Sequence, residues 1–69
     1  MTPKEFRIAL AALGMSQADM ARHLKVKPHT TSRWAKGTHP IPYPVALVIG
    51  KMVEDLEREE TYAREELPQ

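Results

Sequence analysis

The 69-residue sequence predicts an all-α domain of four helices, with room for a short fifth in the tail. Two observations carry that prediction. Apolar residues recur at intervals of three and four in separate segments. Those segments are bounded by residues that start or stop helices: Thr2 with Pro3, Ser16, Pro28 and Pro44 at the starts, Gly14 and Gly37 at the stops. A third observation bounds the size. The length suits one domain, and with no cysteine present neither a disulfide nor cysteine-ligated zinc can brace it. A domain this small recruits a partner chain where it needs further stability, so association is the expected device.

Helix 1 is predicted over 3–13. Thr2 caps it, Pro3 takes the first helical position, and Glu5 stands three residues after Thr2 to complete a capping box. Phe6, Ala9, Leu10 and Leu13 share one face, and Gly14 offers a left-handed stop. Helix 2 repeats the grammar over 17–24, with Ser16 as cap, Asp19 as its box partner and Ala18, Met20, Ala21 and Leu24 as the apolar set. Lys25, Val26 and Lys27 interrupt the pattern. Pro28 then opens helix 3, predicted over 28–36 and ended by Gly37. The alternating prolines of 39–44 make an extended connector. Pro44 opens helix 4, in which Val45, Val48, Ile49, Met52, Val53 and Leu56 form an apolar stripe. The stripe ends at Leu56, and the mostly charged remainder reads as a solvated helical extension or a frayed tail. The organisation is one domain over 1–57 and a charged extension over 58–69. The expected core is Phe6, Leu10, Leu13, Met20, Leu24, Val26, Trp34, Val48, Ile49 and Met52.

The net charge of +1 conceals a division along the chain. In residues 1–43, seven cations stand against two acids, a balance of +5, which suits a polyanionic partner; in residues 44–69, three cations stand against seven acids, a balance of −4. The seven cations are Lys4, Arg7, Arg22, Lys25, Lys27, Arg33 and Lys36, and most of them fall in or beside helices 2 and 3.

The stretch 16–37 resembles the signature of the Cro and lambda-repressor family of helix-turn-helix proteins. The family's small residue in helix 2 falls on Ala21, its apolar anchors on Met20, Leu24, Val26 and Trp34, and its terminal glycine on Gly37. With the flanking helices, the resemblance covers about residues 3–56. It implies a four- to five-helix Cro/lambda-repressor-type helix-turn-helix domain, in which helix 3 enters the major groove and helix 2 crosses the backbone. Three positions depart from the pattern. Lys25 stands where glycine is usual and must take a left-handed conformation. Thr31 stands where isoleucine or valine is usual, so its hydroxyl must bond back to the backbone. Lys27 stands where a serine or threonine cap is common, beside a helix N-terminus suited to a phosphate.

The resemblance places base reading on His29, Ser32, Arg33 and Lys36, with Pro28 at the tip. Arg33 has the sharpest chemistry, because its guanidinium fork matches the O6 and N7 acceptors of guanine. Gln17, Lys27 and Thr30 are the expected phosphate contacts. Thr31 and Trp34 turn away from that face, so Trp34 is read as core. The expected partner is double-stranded DNA carrying an inverted repeat, bound by a homodimer. Ile41, Tyr43, Val45, Ile49, Met52, Val53 and Leu56 are the expected dimer interface, since helix 4 carries more apolar surface than so short a chain can cover. The resemblance further implies a regulator of a phage or mobile element, most simply a repressor that occludes a promoter; a cytoplasmic location is expected separately, from the lack of a membrane-length apolar run and of a basic-then-apolar N-terminal pattern.

No catalytic residue, metal ligand or cofactor is assigned. Ser16 and Ser32 have cap and groove-facing explanations, and His23, His29 and His39 match no zinc spacing. Val45 to Ile49 is far too short to cross a membrane. The competing reading is a protein-interaction module, such as an antitoxin, whose helix 4 and acidic tail bind a partner while DNA binding is secondary. RNA binding ranks below both, because the aromatic platforms for unstacked bases are missing.

Overall fold

Thr2 and Ser16 each close a reciprocal capping box, which sets where the first two helices begin. The Thr2 Oγ1 accepts from the Glu5 amide at 3.1 Å while the Glu5 carboxylate accepts from the Thr2 amide at 2.9 Å. Ser16 and Asp19 repeat the arrangement at 3.0 and 2.9 Å. The computed structural model describes the backbone of residues 1–66 and the side chains of residues 1–59. It is all-helical, with no strand among the described residues: α1 spans Pro3–Leu13, α2 Gln17–Leu24, α3 Pro28–Lys36 and α4 Tyr43–Glu66.

The three helix stops act through left-handed residues. Gly14 (φ 66°) and Gly37 (φ 83°) take the conformation that glycine adopts without a Cβ penalty. Lys25 takes it too, at φ 59° and ψ 41°, and is the one non-glycine residue to do so among the described residues. The cost of about 1 kcal/mol for a residue with a side chain is offset by two backbone bonds that close α2. Lys25 N–H donates to Arg22 at 3.3 Å and Val26 N–H donates to Ala21 at 2.9 Å. The left-handed turn expected of Lys25 is therefore present.

The core forms where α1 meets α3 and α4. Phe6, Met20 and Ile49 are fully buried, and Ala9, Leu10, Trp34 and Ala35 complete the cluster. Phe6 and Trp34 meet edge to face with ring centroids 6.0 Å apart, an arrangement worth about 1 kcal/mol beyond the area it buries. Leu13, Leu24, Val26 and Met52, expected in this core, are half-buried against its edge. Val48 is not part of it and is 44% exposed. The reason is one-sided packing: α4 lies chiefly on α1, so only a limited arc of its circumference can be covered, and Val48 lies about 100° round from Ile49.

One bound differs from expectation, and at the other end the structure decides between the alternatives left open for the extension. The α4 helix begins at Tyr43 rather than Pro44, because the Pro42 carbonyl already accepts from the Ala46 amide at 3.0 Å. It also continues without a break to Glu66, so the charged extension begins as a prolongation of α4 rather than as a separate short helix. On the exposed side, Lys51 pairs with Asp55 at 3.2 Å and Arg58 with Glu54 at 3.1 Å, each one helical turn apart. Among the described residues, no helix is long and apolar enough to cross a membrane.

Candidate nucleic-acid interface

The α2–α3 pair is held together at its corner by a buried hydroxyl. Thr31 is fully buried, and its Oγ1 faces two carbonyls, Gln17 on α2 at 2.8 Å and Pro28 on its own helix at 3.0 Å. The bond back to the helix backbone was expected from the sequence; the bond across to α2 was not. It joins the first residue of α2 to the first turn of α3 through one side chain. No buried side-chain nitrogen or oxygen among the described residues is left without a partner.

The opposite end of α3 is tied to α1. Arg7 Nη1 donates to the Ala35 carbonyl at 2.5 Å, a cation on one of the otherwise unbonded carbonyls at a helix C-terminus. Sequence reasoning counted Arg7 only as part of the basic half. Its spacing from Ala35, 28 residues, leaves no local signal by which this role could be found.

With Thr31, Trp34 and Ala35 buried on one side, α3 presents the other side to solvent. Pro28, His29, Arg33 and Lys36 are exposed there, while Ser32 and Thr30 are half-buried at the margins. Of the expected phosphate contacts, Gln17 and Lys27 are exposed. The first turn of α3 has no side-chain cap: Lys27 occupies the capping position at φ −71° and ψ 145° without a hydrogen bond from its side chain. The only help there is the Thr30 amide donating to the Lys27 carbonyl at 2.9 Å.

Charge on this face is uncompensated. Lys25, Lys27, Arg33 and Lys36 have no acidic partner among the described residues, whereas Arg22 pairs with Asp19 and so contributes little net charge. Asp19 itself serves the cap. The hydrogen bond from the Ser16 amide, then that from the Ser16 hydroxyl, hold its carboxyl below the usual carboxylate range, and Thr2 acts on Glu5 in the same way. Among the described residues no group of three or more His, Cys, Asp or Glu side chains is placed to hold a metal ion.

The expected dimer residues divide. Ile49 is fully buried inside its own chain and has no surface to offer, which removes it from any interface. Ile41, Val45, Met52 and Val53 are partly spent on the core edge, and Leu56 is half-buried. Tyr43 is 73% exposed. The other large apolar residues left exposed are Met1, Ile8, Leu47 and Val48, none of which the sequence reading assigned to an interface. A spacing signal was present for one of them, since Leu47 falls between Tyr43 and Gly50 at the four-and-three interval of a single helix face.

Neither a protein-family model, a curated protein nor a solved structure matches this chain.

Proposed function

We propose that this chain is a sequence-specific double-stranded DNA-binding regulator of the helix-turn-helix type, working as two copies on an inverted repeat and repressing by occlusion of a promoter. The observation that carries the reading is the division of α3. One side, Thr31, Trp34 and Ala35, is anchored in the protein, and the other shows His29, Arg33 and Lys36 to solvent, flanked by Lys25 and Lys27, with no acid among the described residues to neutralise the cations. A helix of nine residues is about 14 Å long, and its outer face suits the B-DNA major groove of about 12 Å width. Arg33 is the base reader, bidentate on guanine. His29, Ser32 and Lys36 read or flank neighbouring bases with Pro28 at the tip, and Gln17, Lys27 and Thr30 fix the register on phosphates.

In this reading α2 crosses the backbone and the Thr31 bridge holds the angle between the two helices. No catalytic chemistry is assigned to the chain, and regulation acts through its level or through a partner. The test is selection of bound fragments from the source genome, sequenced, with Arg33→Ala in parallel. One inverted repeat, recovered by the wild type and lost by the variant, is expected. Equal background for both proteins would sink the reading in favour of a protein-interaction module.

A further inference from the structure

The two ends of α3 are held by different neighbours. Near its start, the Thr31 hydroxyl joins it to the Gln17 carbonyl of α2. Toward its end, α1 lies against it at three points. Phe6 meets Trp34 edge to face, Arg7 donates to the Ala35 carbonyl, and α1 passes so close to Gly37 that a Cβ there would stand 3.1 Å from the Pro3 Cγ. Two consecutive residues of α1, Phe6 and Arg7, thus hold two consecutive residues of α3, Trp34 and Ala35.

These contacts fix different things. The ring pair and the close approach at Gly37 set a distance between the helices, whereas a hydrogen bond from a planar guanidinium also sets a direction. The carbonyls of the last turn show where that direction acts. The Arg33 carbonyl accepts from the Gly37 and Thr38 amides at 3.0 and 3.1 Å, and the Trp34 carbonyl accepts from the Gly37 amide at 3.3 Å, all inside the stop turn. The Ala35 carbonyl takes its bond instead from Arg7, 28 residues away. That carbonyl belongs to the peptide unit joining Ala35 to Lys36, so Arg7 holds the backbone from which Lys36 projects, two residues beyond Arg33. Arg7 is itself exposed, so water replaces much of what the bond adds to stability while its direction is kept.

We propose that Arg7 is a positioning residue for base recognition: without touching DNA, it aims the C-terminal half of α3, with Arg33 and Lys36, into the groove. This role rests on the DNA-binding reading above and divides the labour within it. Reading by Arg33 and Lys36 depends on α1 through Arg7. Reading by His29, in the half anchored to α2 by Thr31, does not.

The experiment is selection from a random duplex pool by the full chain, as wild type and as His29→Ala, Arg33→Ala, Lys36→Ala, Arg7→Met, Arg7→Gln and Arg7→Lys. Anisotropy on matched, singly mismatched and unmatched DNA follows, well below each melting temperature. The alanine variants assign base pairs to each reader. Arg7→Met and Arg7→Gln both remove the guanidinium and are sound helix formers, so at least one folded variant is in hand. They are expected to lower discrimination roughly tenfold at the base pairs assigned to Arg33 and Lys36, about the worth of one matched pair. Discrimination at the His29 base pairs, affinity for unmatched DNA and the salt slope stay as in the wild type. Arg7→Lys, which keeps a cationic donor on a long stem, recovers most of the loss. Matched and unmatched affinity falling together, with a slope shallower by about 1, would make Arg7 a phosphate contact and overturn the proposal. A lower melting temperature with discrimination intact overturns it too, as does a loss spread evenly over all base pairs, those of His29 included. A wild type that prefers no sequence sinks the DNA reading itself; a selective wild type matched by Arg7→Met sinks the positioning role alone.

Discussion

At the scale of single residues, Arg33 and Thr31 stand on the two sides of α3, one exposed and the other fully buried. Arg33 is exposed and makes no ion pair, so its replacement removes little from the fold. In fluorescence anisotropy with the selected repeat, Arg33→Ala is expected to weaken specific binding by about 1–3 kcal/mol, roughly 10- to 100-fold, with an unchanged melting temperature. Thr31 is the reverse case. Thr31→Val keeps the shape but removes a buried donor shared by the Gln17 and Pro28 carbonyls, and about 1 kcal/mol of stability is expected to go with it in urea denaturation. Thr31→Ser should retain the bond and more of the stability. From the sequence, a threonine at this position announced a hydroxyl in need of a partner; that the partner includes a residue 14 positions away is a fact of three-dimensional packing.

At the scale of elements, the helix bounds were legible because each is set within a few residues. Thr2 with Glu5, Ser16 with Asp19, and the left-handed Gly14, Lys25 and Gly37 are local devices, and α1, α2 and α3 begin and end where they dictate. The start of α4 was misplaced by one residue because the first bond there comes from a proline carbonyl, which no side-chain signal marks. The eight-residue α2 is too short to persist alone, so its box should be felt by the whole domain. Because the folded-state pKa of Asp19 is depressed, the unfolded chain binds its proton more readily, and stability rises with pH across the carboxylate range. That contribution is fully present above the unfolded carboxyl pKa of about 4 and is lost as pH falls through the lowered folded value. Thermal melts between about pH 5 and about pH 3 should show a steep decline for the wild type and a shallower one for Asp19→Asn, starting from a lower melting temperature. Parallel curves would show that the carboxylate does not serve the cap as described.

At the scale of the molecule, the charge division becomes a division of space. The unpaired cations of the α2–α3 region lie around one helix pair, while the acids of α4 extend along a helix of about 36 Å in a molecule measuring 48 × 19 × 17 Å. If the basic face meets phosphates, affinity must fall linearly in logarithm with salt concentration, by about 0.9 for each phosphate neutralised. Lys27→Ala is then expected to reduce that slope by about 1 per bound copy and to weaken matched and unmatched DNA alike, in contrast to Arg33→Ala. A slope that does not change with Lys27→Ala would remove Lys27 from the phosphate contacts.

The amino-acid sequence by itself determined the bounds of the first three helices, the exposed side of α3 and the burial of Trp34, because caps, stops and a 3.6-residue period act through neighbours along the chain. Only the tertiary structure decided which apolar residues of α4 are covered. Val48 and Ile49 are adjacent and equally apolar, yet one is 44% exposed and the other fully buried. Periodicity marks a stripe, but the arc of that stripe that is removed from water depends on where α1 lies against α4. The same placement commits Ile49 to the core and leaves Ile8, Leu47 and Gly50 on an uncovered face.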